Sequence, residues 1–599
     1  MSTAKQKAQD FLKHEQAFRL GALLTESSHP KTATLSQTIR QDVAEGIGML
    51  LRVDEEIAPA AAKVFGSDAF ERLVAAMTRV LGDGKRVFFT GCGATGRLSI
   101  LLEAAWREFW QRLRREYPEQ LAKLSDLEDR VFSVMAGGDH ALIRSVEGFE
   151  DHPRFGRYQL QQAGVAEGDV VVAITEGGET PFVIGTAWQG LEPGAEVFFV
   201  FNNPAEVLCQ HVERSRQVIE DDRITSLDLT TGPMAVAGST RMQATSSELL
   251  VVGAALEIAL KRLLQPCLPT QVLSALGCDP GQTVDYAASM ARLVDQLGEP
   301  TALDALVRFV QFEQEVYDHN GLVTYAAHDY LLDVLTDTTE RAPTFRLPPF
   351  RKCDDRDSAR SWAFVKNPLR DTRDTWWQIL RRLPRGLEWT AETYRLLDAP
   401  MAIRSAPPAL DNDQIYRFQI GNETDRSRFD AEDSAWVMTA VGEEVGAFAA
   451  VDHPFRREFD RLAGDYQKVA AVCVGPEVVD CGQSEVFRVP VDLPLSPIKL
   501  WHHLAIKLVL NTVSTATMAR MGRVFGNWMV HVETTNKKLI DRGTRLIAEL
   551  AGLDYEDACL RLHETMEEVE PRQRLTNDAP SPVALALERL GIMTPDSGT

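Results

Sequence analysis

An apolar run that ends in a glycine-rich loop and continues into helical spacing is the feature that most restricts how this chain folds. Val87–Thr90 is followed by the loop Gly91–Gly96 (GCGATG) and then by helical periodicity over 97–117. Similar apolar runs recur at 131–135, 170–174 and 197–201. Strands that alternate with helices form a parallel sheet with helices on both faces. The sequence therefore predicts an α/β domain.

A second series of strands is predicted at 322–325, 435–438, 469–473 and 486–489. The segments 246–256 and 504–514, which each follow the last strand of a series, resemble one another. We interpret this as two related α/β domains in tandem, although two helices with ordinary apolar stripes would also look alike. The predicted organisation is a helical N-terminal segment (1–60, with one helix over 36–53), a first domain (61–280), a second domain (281–495) and a helical C-terminal region (496–599).

The charge balance restricts the class of ligand. Lys and Arg total 64 against 86 Asp and Glu, a formal charge of −22. Such a surplus repels phosphate backbones and anionic lipids, so we predict no nucleic acid and no membrane partner. A small anion held in a local pocket stays compatible with it.

Other sequence features point to a chain in a reducing compartment. No apolar run reaches the roughly 18–20 residues of a membrane helix, and residues 1–20 carry no apolar signal-peptide core. The eight cysteines form no C-x-x-C pair, which argues against a disulfide scaffold and a zinc site. We predict a cytoplasmic protein with no metal and no cofactor.

The loop Gly91–Gly96 has the pattern of an anion site. A strand that ends in glycines and opens a helix presents free backbone N–H groups at a positive helix end, which suits phosphate. The hydroxyl of Thr95 can add a donor. The loop also fits G-x-G-x-x-G, but a dinucleotide site wants an acidic residue at the end of the next strand, and 111–119 is a charged helix. A glycine turn kept only for packing is the other alternative.

The loop Thr175–Thr180 follows the third predicted strand. Ligands of open parallel sheets bind at the carboxyl edge of the strands, where this loop lies. Its hydroxyls and backbone N–H groups suit a ligand, and its two carboxylates, Glu176 and Glu179, oppose phosphate but can accept from sugar hydroxyls. A hydrophilic surface turn is the alternative.

Three further groups of residues have simple structural interpretations. Glu147 and Glu150 would share a face of a helix, exposed to solvent. Ser239 or Thr240 can cap the long helix that follows, where an arginine can fix a carboxylate. Lys538 lies in a segment typical of a helix cap and first turn.

Taken together, these segments resemble the SIS (sugar isomerase) family. They are most similar to the branch that joins bacterial N-acetylmuramic acid 6-phosphate etherase with the animal glucokinase regulatory protein. The matching segments are Leu24–Glu26, Gly91–Arg97, Val146–Asp151, Asn203–Pro204, Gly238–Met242, Lys507–Thr515, Gly526–Asn527 and Thr535–Leu539. The similarity to the regulator covers nearly the whole chain. It implies two tandem flavodoxin-like SIS domains.

The resemblance implies that the chain binds a hexose or amino-sugar 6-phosphate. The residues that fall on the family's ligand contacts are Gly93, Ala94, Thr95, Glu150, Thr175, Gly177, Glu179, Ser239, Glu340 and Lys538. Glu150 falls on an acid that is also a catalytic acid/base in the etherase. The relatives have Ser or Arg at the position of Glu179.

Two departures from the family pattern shape the expected function. Ala105 stands where the etherase has its second catalytic glutamate, and loss of one general acid/base costs about 10²–10⁴ in rate. The segment Tyr325–Asp329 of the second domain lacks glycine and serine, so we expect no second phosphate site. The resemblance therefore favours a regulatory or sensing protein of carbohydrate metabolism. The alternatives are an etherase that releases D-lactate and a sugar-phosphate isomerase.

The resemblance also bears on partners. By analogy with the regulator, a sugar kinase is a candidate protein partner. Because two SIS domains in one chain can imitate the dimer of single-domain relatives, a monomer is favoured over a homodimer.

Overall fold

The computed structural model describes residues 3–121, 124, 127–146, 148–476, 482, 485–576 and 580–593. Two five-stranded parallel sheets form its centre. The first contains β1 (Val87–Gly91), β2 (Val131–Met135), β3 (Val170–Thr175), β4 (Glu196–Phe201) and β5 (Ile224–Asp228), and the second contains β6 (Val323–Ala326), β7 (Ala363–Lys366), β8 (Ala435–Val441), β9 (Lys468–Val474) and β10 (Glu485–Val489).

The two sheets share one topology. The first has the order β2-β1-β3-β4-β5, and the second has the order β10-β9-β8-β6-β7. When the strands of the second sheet are counted from its own first strand, the order is again 2-1-3-4-5, read from the other edge. The predicted tandem α/β fold with flavodoxin-like sheets is therefore confirmed.

Sequence patterns missed one strand in each sheet. The missed strand β5 reads ITSLD and is only partly buried at the edge of its sheet. The missed strand β7 is four residues long and is also an edge strand. The strand β5 is partly exposed and lacks a continuous apolar run, whereas β7 is fully buried but too short to give a clear periodic signal.

Helices cover both faces of each sheet. Those before and around the first sheet are α1 (Thr3–His14), α2 (Leu35–Gln41), α3 (Val43–Asp54), α4 (Ile57–Phe65), α5 (Asp68–Gly82), α6 (Gly93–Glu116), α7 (Pro118–Leu121), α8 (His140–Ile143), α9 (Pro153–Gln162), α10 (Pro181–Leu191), α11 (Ala205–His211), α12 (Glu213–Ile219), α13 (Gln243–Leu264) and α14 (Thr270–Ala275).

The second sheet and the C-terminal region have their own helices. They are α15 (Tyr286–Gly298), α16 (Pro300–Asp318), α17 (Leu331–Phe345), α18 (Thr372–Leu380), α19 (Ala391–Leu396), α20 (Met401–Ser405), α21 (Asn412–Tyr416), α22 (Glu443–Ala449), α23 (Pro454–Ala463), α24 (Leu500–Arg520), α25 (Lys537–Ala551), α26 (Tyr555–Thr576) and α27 (Pro582–Arg589). Short 3-10 turns lie at Gln16–Phe18, Leu24–Glu26, Pro30–Thr32, Glu128–Arg130 and Arg426–Arg428. In the described part of the chain, no helix is long and apolar enough to cross a membrane.

The single helix predicted over 36–53 is two helices, α2 and α3. Asp42 separates them with an extended backbone (φ −142°, ψ 109°). Its side chain accepts a hydrogen bond from the amide of Glu45 at 3.1 Å and so caps α3. A side chain that satisfies a free amide favours a new helix start over continuation.

The C-terminal helix α24 joins the two domains. It packs against α13 of the first domain and against α16 and α17 of the second. The two segments that resemble one another in sequence lie in α13 and α24. The C-terminal region therefore forms a layer shared by both domains.

A buried network of charges crosses the same interface. Arg241 of the first domain pairs with Asp337 of α17 at 2.9 Å, and Arg341 contacts the other oxygen of Asp337 at 2.8 Å. Asn511 and Ser514 of α24 donate to the first oxygen. Because all five side chains are buried, the bonds that Asp337 accepts offset the cost of removing its charge from water.

Candidate functional site

A cavity of about 180 Å³ lies between the first domain, helix α17 of the second domain and the start of α25. Six of the residues that the resemblance implies border it: Gly93, Ala94, Glu150, Ser239, Glu340 and Lys538. Thr95, Thr175, Gly177 and Glu179 are outside the lining and lie in the two loops that border it. The structure thus brings together residues that are up to 445 positions apart in the sequence, as the spacing of Gly93 and Lys538 shows.

The loop after β1 delivers backbone amides to the cavity. Gly93 begins α6 with a φ of +51°, a conformation that favours glycine. A Cβ at Gly91 would lie 2.5 Å from the backbone carbon of Thr95, so this position also excludes side chains. The first amides of a long helix have no intrahelical partner, so those of Gly93 and Ala94 are available to an anion.

Thr95 has a structural role in this loop. Its hydroxyl donates to the carbonyl of Cys92 at 2.8 Å and accepts from the Cys92 amide at 3.0 Å. The side chain is 1% exposed. The hydroxyl therefore fixes the first turn of α6 from behind the cavity.

The loop after β3 is buried, so the surface-turn alternative for Thr175–Thr180 is wrong. The hydroxyls of Thr175 and Thr180 are 3.0 Å apart. The amide group of Asn203 donates to the carbonyl of Gly177 at 3.0 Å. These contacts hold the loop against the first domain with one edge open to the cavity.

Of the two acids in this loop, Glu176 borders the cavity and Glu179 does not. Its carboxylate accepts a hydrogen bond from Thr245 at 3.2 Å. Burial raises the pKa of Glu176 to about 7, and Glu340 adds to the rise, while Lys538 and the Thr245 hydroxyl lower it. From the sequence, both carboxylates of this loop have a role as acceptors from sugar hydroxyls, but only Glu179 is in the set of ligand contacts that the resemblance implies.

Glu150 lies in a turn, so the prediction of an exposed helix face is wrong. Its carboxylate accepts a hydrogen bond from the amide group of Asn536, and its carbonyl accepts from the amide of Phe182 at 3.0 Å. Both contacts fix Glu150 at the cavity. Glu147 lies outside the described residues.

Ser239 and Thr240 border the cavity, and the prediction that one of them caps α13 is wrong. The helix begins at Gln243, and Met242 is its N-cap residue without a side-chain hydrogen bond. Within the described residues, neither the Ser239 hydroxyl nor that of Thr240 has a hydrogen-bond partner. They are therefore available to a ligand.

Lys538 enters the cavity from the first turn of α25. Asn536 caps that helix by accepting from the amide of Leu539 at 2.8 Å, in agreement with the predicted cap and first turn. The ammonium group of Lys538 pairs with Glu179 at 2.8 Å, and Glu179 also pairs with Arg214 at 2.7 Å. These cations hold the pKa of Glu179 below its usual range despite burial.

Glu340 is the contribution of the second domain to the cavity. It forms an ion pair with Arg97 of α6. The guanidinium of Arg97, which is 1% exposed, also donates to the carbonyls of Ala141 and Leu142. This pair fixes α17 against α6 of the first domain.

The helix α6 carries Ala105 and Glu103 away from the cavity. Ala105 is buried in the apolar core, and it lies about 18 Å along the helix from Gly93 at about 1.5 Å per residue. Glu103 pairs with Arg382 at 3.0 Å and with Arg385 at 2.8 Å. Glu103 therefore joins the two domains and does not border the cavity.

The N-terminal segment fastens the parts of the site to one another. The side-chain amide group of Asn203 donates to the hydroxyl of Thr25. In return, the backbone amide of Thr25 donates to the side-chain oxygen of Asn203 at 3.1 Å. Glu26, which is 4% exposed, pairs with Arg542 at 2.6 Å and with Arg545 at 2.8 Å. Both arginines hold the pKa of Glu26 far below its usual range.

The corresponding loop of the second domain is filled from within the protein. The amide of Asp329 donates to the carboxylate of Glu444 at 2.8 Å. Glu444 lies in α22, after the third strand of the second sheet by topology. The carboxyl group of Glu444 thus binds a backbone amide whose counterpart in the first domain faces the cavity.

Basic and acidic groups alternate around the cavity. Arg97, Arg241, Lys538 and Arg542 bring positive charge, and Glu150, Glu176 and Glu340 bring negative charge. The amides and hydroxyls of the lining suit a phosphoryl group, whereas its carboxylates accept from hydroxyl groups. The described residues include no group of three His, Cys, Asp or Glu side chains suited to a metal ion.

The sequence and the fold of the chain are similar to those of several known proteins. Residues 70–189 match the model of the glucokinase regulatory protein N-terminal SIS domain. An N-acetylmuramic acid 6-phosphate etherase of Synechococcus sp. (strain CC9902) is 33% identical over 277 residues, which are 46% of this chain and 74% of that protein. The etherase of Prochlorococcus marinus (strain MIT 9303) is 31% identical over 276 residues, with the same coverage of both chains. The solved tagatose-6-phosphate ketose/aldose isomerase of Escherichia coli aligns at 10% identity with a TM-score of 0.40, over 80% of this chain and 94% of that one.

Proposed function

The chain belongs to the SIS-domain family of the N-acetylmuramic acid 6-phosphate etherases, and we propose that it binds a hexose or amino-sugar 6-phosphate in the cavity described above. The observation that carries the proposal is the convergence of three regions on that one cavity. Gly93 comes from the first domain, Glu340 from the second and Lys538 from the C-terminal helices.

Free donors in the lining of the cavity support binding of the phosphate. The amides of Gly93 and Ala94 lie at the N-terminus of a 24-residue helix, where the helix dipole favours an anion. The hydroxyls of Ser239 and Thr240 face the same cavity without a partner among the described residues. Lys538 adds a buried positive charge.

Carboxylates in the same lining support binding of the sugar. Glu150 and Glu340 border the cavity and can accept from sugar hydroxyls. Each is already held by a neighbour from a different region, Asn536 and Arg97 respectively. Binding to preformed side chains loses little conformational entropy, which favours affinity.

Titration calorimetry with fructose 6-phosphate, N-acetylglucosamine 6-phosphate and N-acetylmuramic acid 6-phosphate tests the proposal. We expect one site per chain. Replacement of Lys538 by Ala should weaken binding by about 1.5–3 kcal/mol, because a hydrogen bond to a charged group is lost. Lys537→Ala is the matched control, since Lys537 is an exposed neighbour that pairs with Glu15. If no sugar phosphate binds the wild-type chain, the proposal fails.

A lyase that cleaves the ether of N-acetylmuramic acid 6-phosphate is the second candidate. The names of the relatives and the position of Glu150 at the cavity favour it. Glu150 would remove the proton at C2 of the sugar. Release of lactate from that substrate, abolished in Glu150→Gln, would support the lyase, and absence of lactate would reject it.

Regulation and assembly extend the proposal. A bound ligand that bridges Glu340 and Lys538 would favour a closed arrangement of both domains and the C-terminal layer. A ligand-dependent contact with a sugar kinase and a monomeric chain both stay predictions. Small-angle scattering with and without sugar phosphate measures closure and assembly state together.

A further inference from the structure

We propose that Glu176 is a second catalytic residue of this cavity. Its carboxyl group would protonate the oxygen that leaves C3 of an amino-sugar 6-phosphate with a 3-O-carboxyalkyl ether, while Glu150 takes the proton from C2. The inference rests on the proposed sugar-phosphate function and adds to it an activity and the residue that supplies the acid.

The geometry of the cavity carries this inference. Glu150 and Glu176 both border the cavity, and they come from separate loops, the turn before α9 and the loop after β3. Glu176 is 8% exposed, so its carboxyl group meets little water except through the cavity. Ala105, in contrast, lies in the apolar core. In this proposal the second acid therefore comes from the loop after β3 and not from α6.

The surroundings of Glu176 suit a proton donor at neutral pH. Lys538 from α25 and the hydroxyl of Thr245 from α13 favour its charged form. Burial and Glu340 from α17 oppose that form. The nearby carboxyl of Glu248 from α13 is itself neutral, because burial raises its pKa well above the ordinary value. The balance raises the pKa of Glu176 to about 7, where a general acid is most effective near neutral pH.

The thiol of Cys92 completes this surrounding. Burial and the charges of Glu150 and Glu176 raise the pKa of Cys92 well above its ordinary value. Cys92 therefore stays a neutral thiol beside the loop. It neither donates to nor competes with the proposed acid in the neutral range.

The proposed reaction balances without a redox partner. The aldehyde of the ring-opened sugar acidifies C2, and Glu150 takes the C2 proton as the electron pair forms a C2=C3 double bond. The C3–O bond breaks, and its oxygen takes the proton of Glu176 and leaves as the hydroxyl of a hydroxy acid. Glu176 then takes a proton from a water that adds to C3, and Glu150 returns its proton to C2. One ether and one water become one sugar phosphate and one hydroxy acid.

The test uses the full chain and N-acetylmuramic acid 6-phosphate. We expect Glu176→Gln to lower kcat for lactate release by about 10²–10⁴, the usual range for one general acid. Its Kd from calorimetry should stay within a few fold of wild type. In D₂O, deuterium should still enter C2 in Glu176→Gln, because that step belongs to Glu150, whereas Glu150→Gln should lose both release and exchange.

Glu248→Gln is the matched control. Glu248 is fully buried on α13, outside the cavity lining, and its pKa is raised well above the ordinary value, so it is already neutral. We expect wild-type kcat in this variant. The wild-type kcat should fall as pH rises through about 7, and this limb should be absent in Glu176→Gln.

The outcomes separate this inference from the proposed function. If wild type binds the sugar phosphate but releases no lactate, the inference is overturned and the binding function stands. If Glu176→Gln keeps the wild-type kcat, Glu176 is not the acid. If no sugar phosphate binds at all, the proposed function itself fails.

Discussion

The two domains of this molecule share one sheet topology, but the loop that follows the first strand is open in one domain and closed in the other. In the first domain the loop carries Gly91 and Gly93, and its amides open onto a cavity. In the second domain the amide of Asp329 is bound by the carboxylate of Glu444. The comparison teaches that strand order gives a place for a site, and that the site itself depends on a few side chains at the loop.

The second domain has become part of the site of the first. Its helix α17 follows β6 as α6 follows β1, yet α17 carries Glu340 into the cavity of the first domain. The same helix carries Asp337 into the charge network with Arg241. The second domain thus contributes a wall of the cavity and a buried anchor.

Breaking the anchor should have the largest effect. Asp337→Ala removes the carboxylate between Arg241 and Arg341 and leaves their charges buried without it. We expect a loss of about 3–5 kcal/mol in the free energy of unfolding, measured with urea. Asp304→Ala, which removes an exposed partner of Arg308, should cost about 1 kcal/mol or less. Equal losses in both variants would contradict the anchor.

Giving the first domain the carboxylate of the second should abolish ligand binding. Ala94→Glu places an acid at the buried lining of the cavity, as Glu444 does for the other loop. Repulsion of phosphate should weaken binding by several kcal/mol, on the order of 100-fold or more in Kd. Calorimetry measures the loss, and a thermal melt close to that of wild type shows that the variant is folded. Wild-type affinity in Ala94→Glu would place the phosphate elsewhere.

The pH dependence of affinity should follow Glu176. The pKa of this carboxyl is raised to about 7, so it is mostly neutral below that pH and mostly charged above it. A charged Glu176 repels a phosphate dianion, so affinity should fall as pH rises through 7, by at most about tenfold per pH unit for one linked proton. Glu176→Gln should lack the fall. The ligand's own titration near pH 6 is common to both proteins and cancels in their ratio.

Removing the acid of the second domain should have the smallest effect. Glu444→Gln keeps the shape of the side chain and replaces its carboxyl group by an amide, but the segment Tyr325–Asp329 still has no glycine. We expect the binding stoichiometry to stay at one and the affinity to change by less than about twofold, within about 0.5 kcal/mol. A second site in this variant would show that the carboxylate alone closes the loop.

Sequence reasoning reached the fold because its main signals are local. The central strands are continuous apolar runs, since parallel strands are buried on both faces, and glycines mark the loop after the first of them. The edge strand Ile224–Asp228 lacks such a run and was missed. The break at Asp42 was also missed, because an Asp side chain can either point to solvent within a helix or bond to a nearby backbone amide and start a new one.

The site could be predicted only in part, because many of its contacts join residues that are far apart in the sequence. The family resemblance named Glu340 and Lys538, which the structure places at the cavity. The clamp between Glu26 and Arg542 joins residues 516 positions apart, and no local pattern announces it. The elevated pKa of Glu176 depends on burial and on Glu340, so it too exists only in the folded chain.

The clamp of Glu26 by Arg542 and Arg545 has a consequence for folding during synthesis on the ribosome. At about 5–20 residues per second, a ribosome needs roughly 25–100 s to add the 516 residues between Glu26 and Arg542. Throughout that interval the glutamate lacks its two partners in α25, whereas the strands of the first sheet are all synthesised well before the interval ends. The pocket is therefore among the last parts of the molecule to mature, and a chain cut short before α25 would carry an intact sheet with an unfinished pocket.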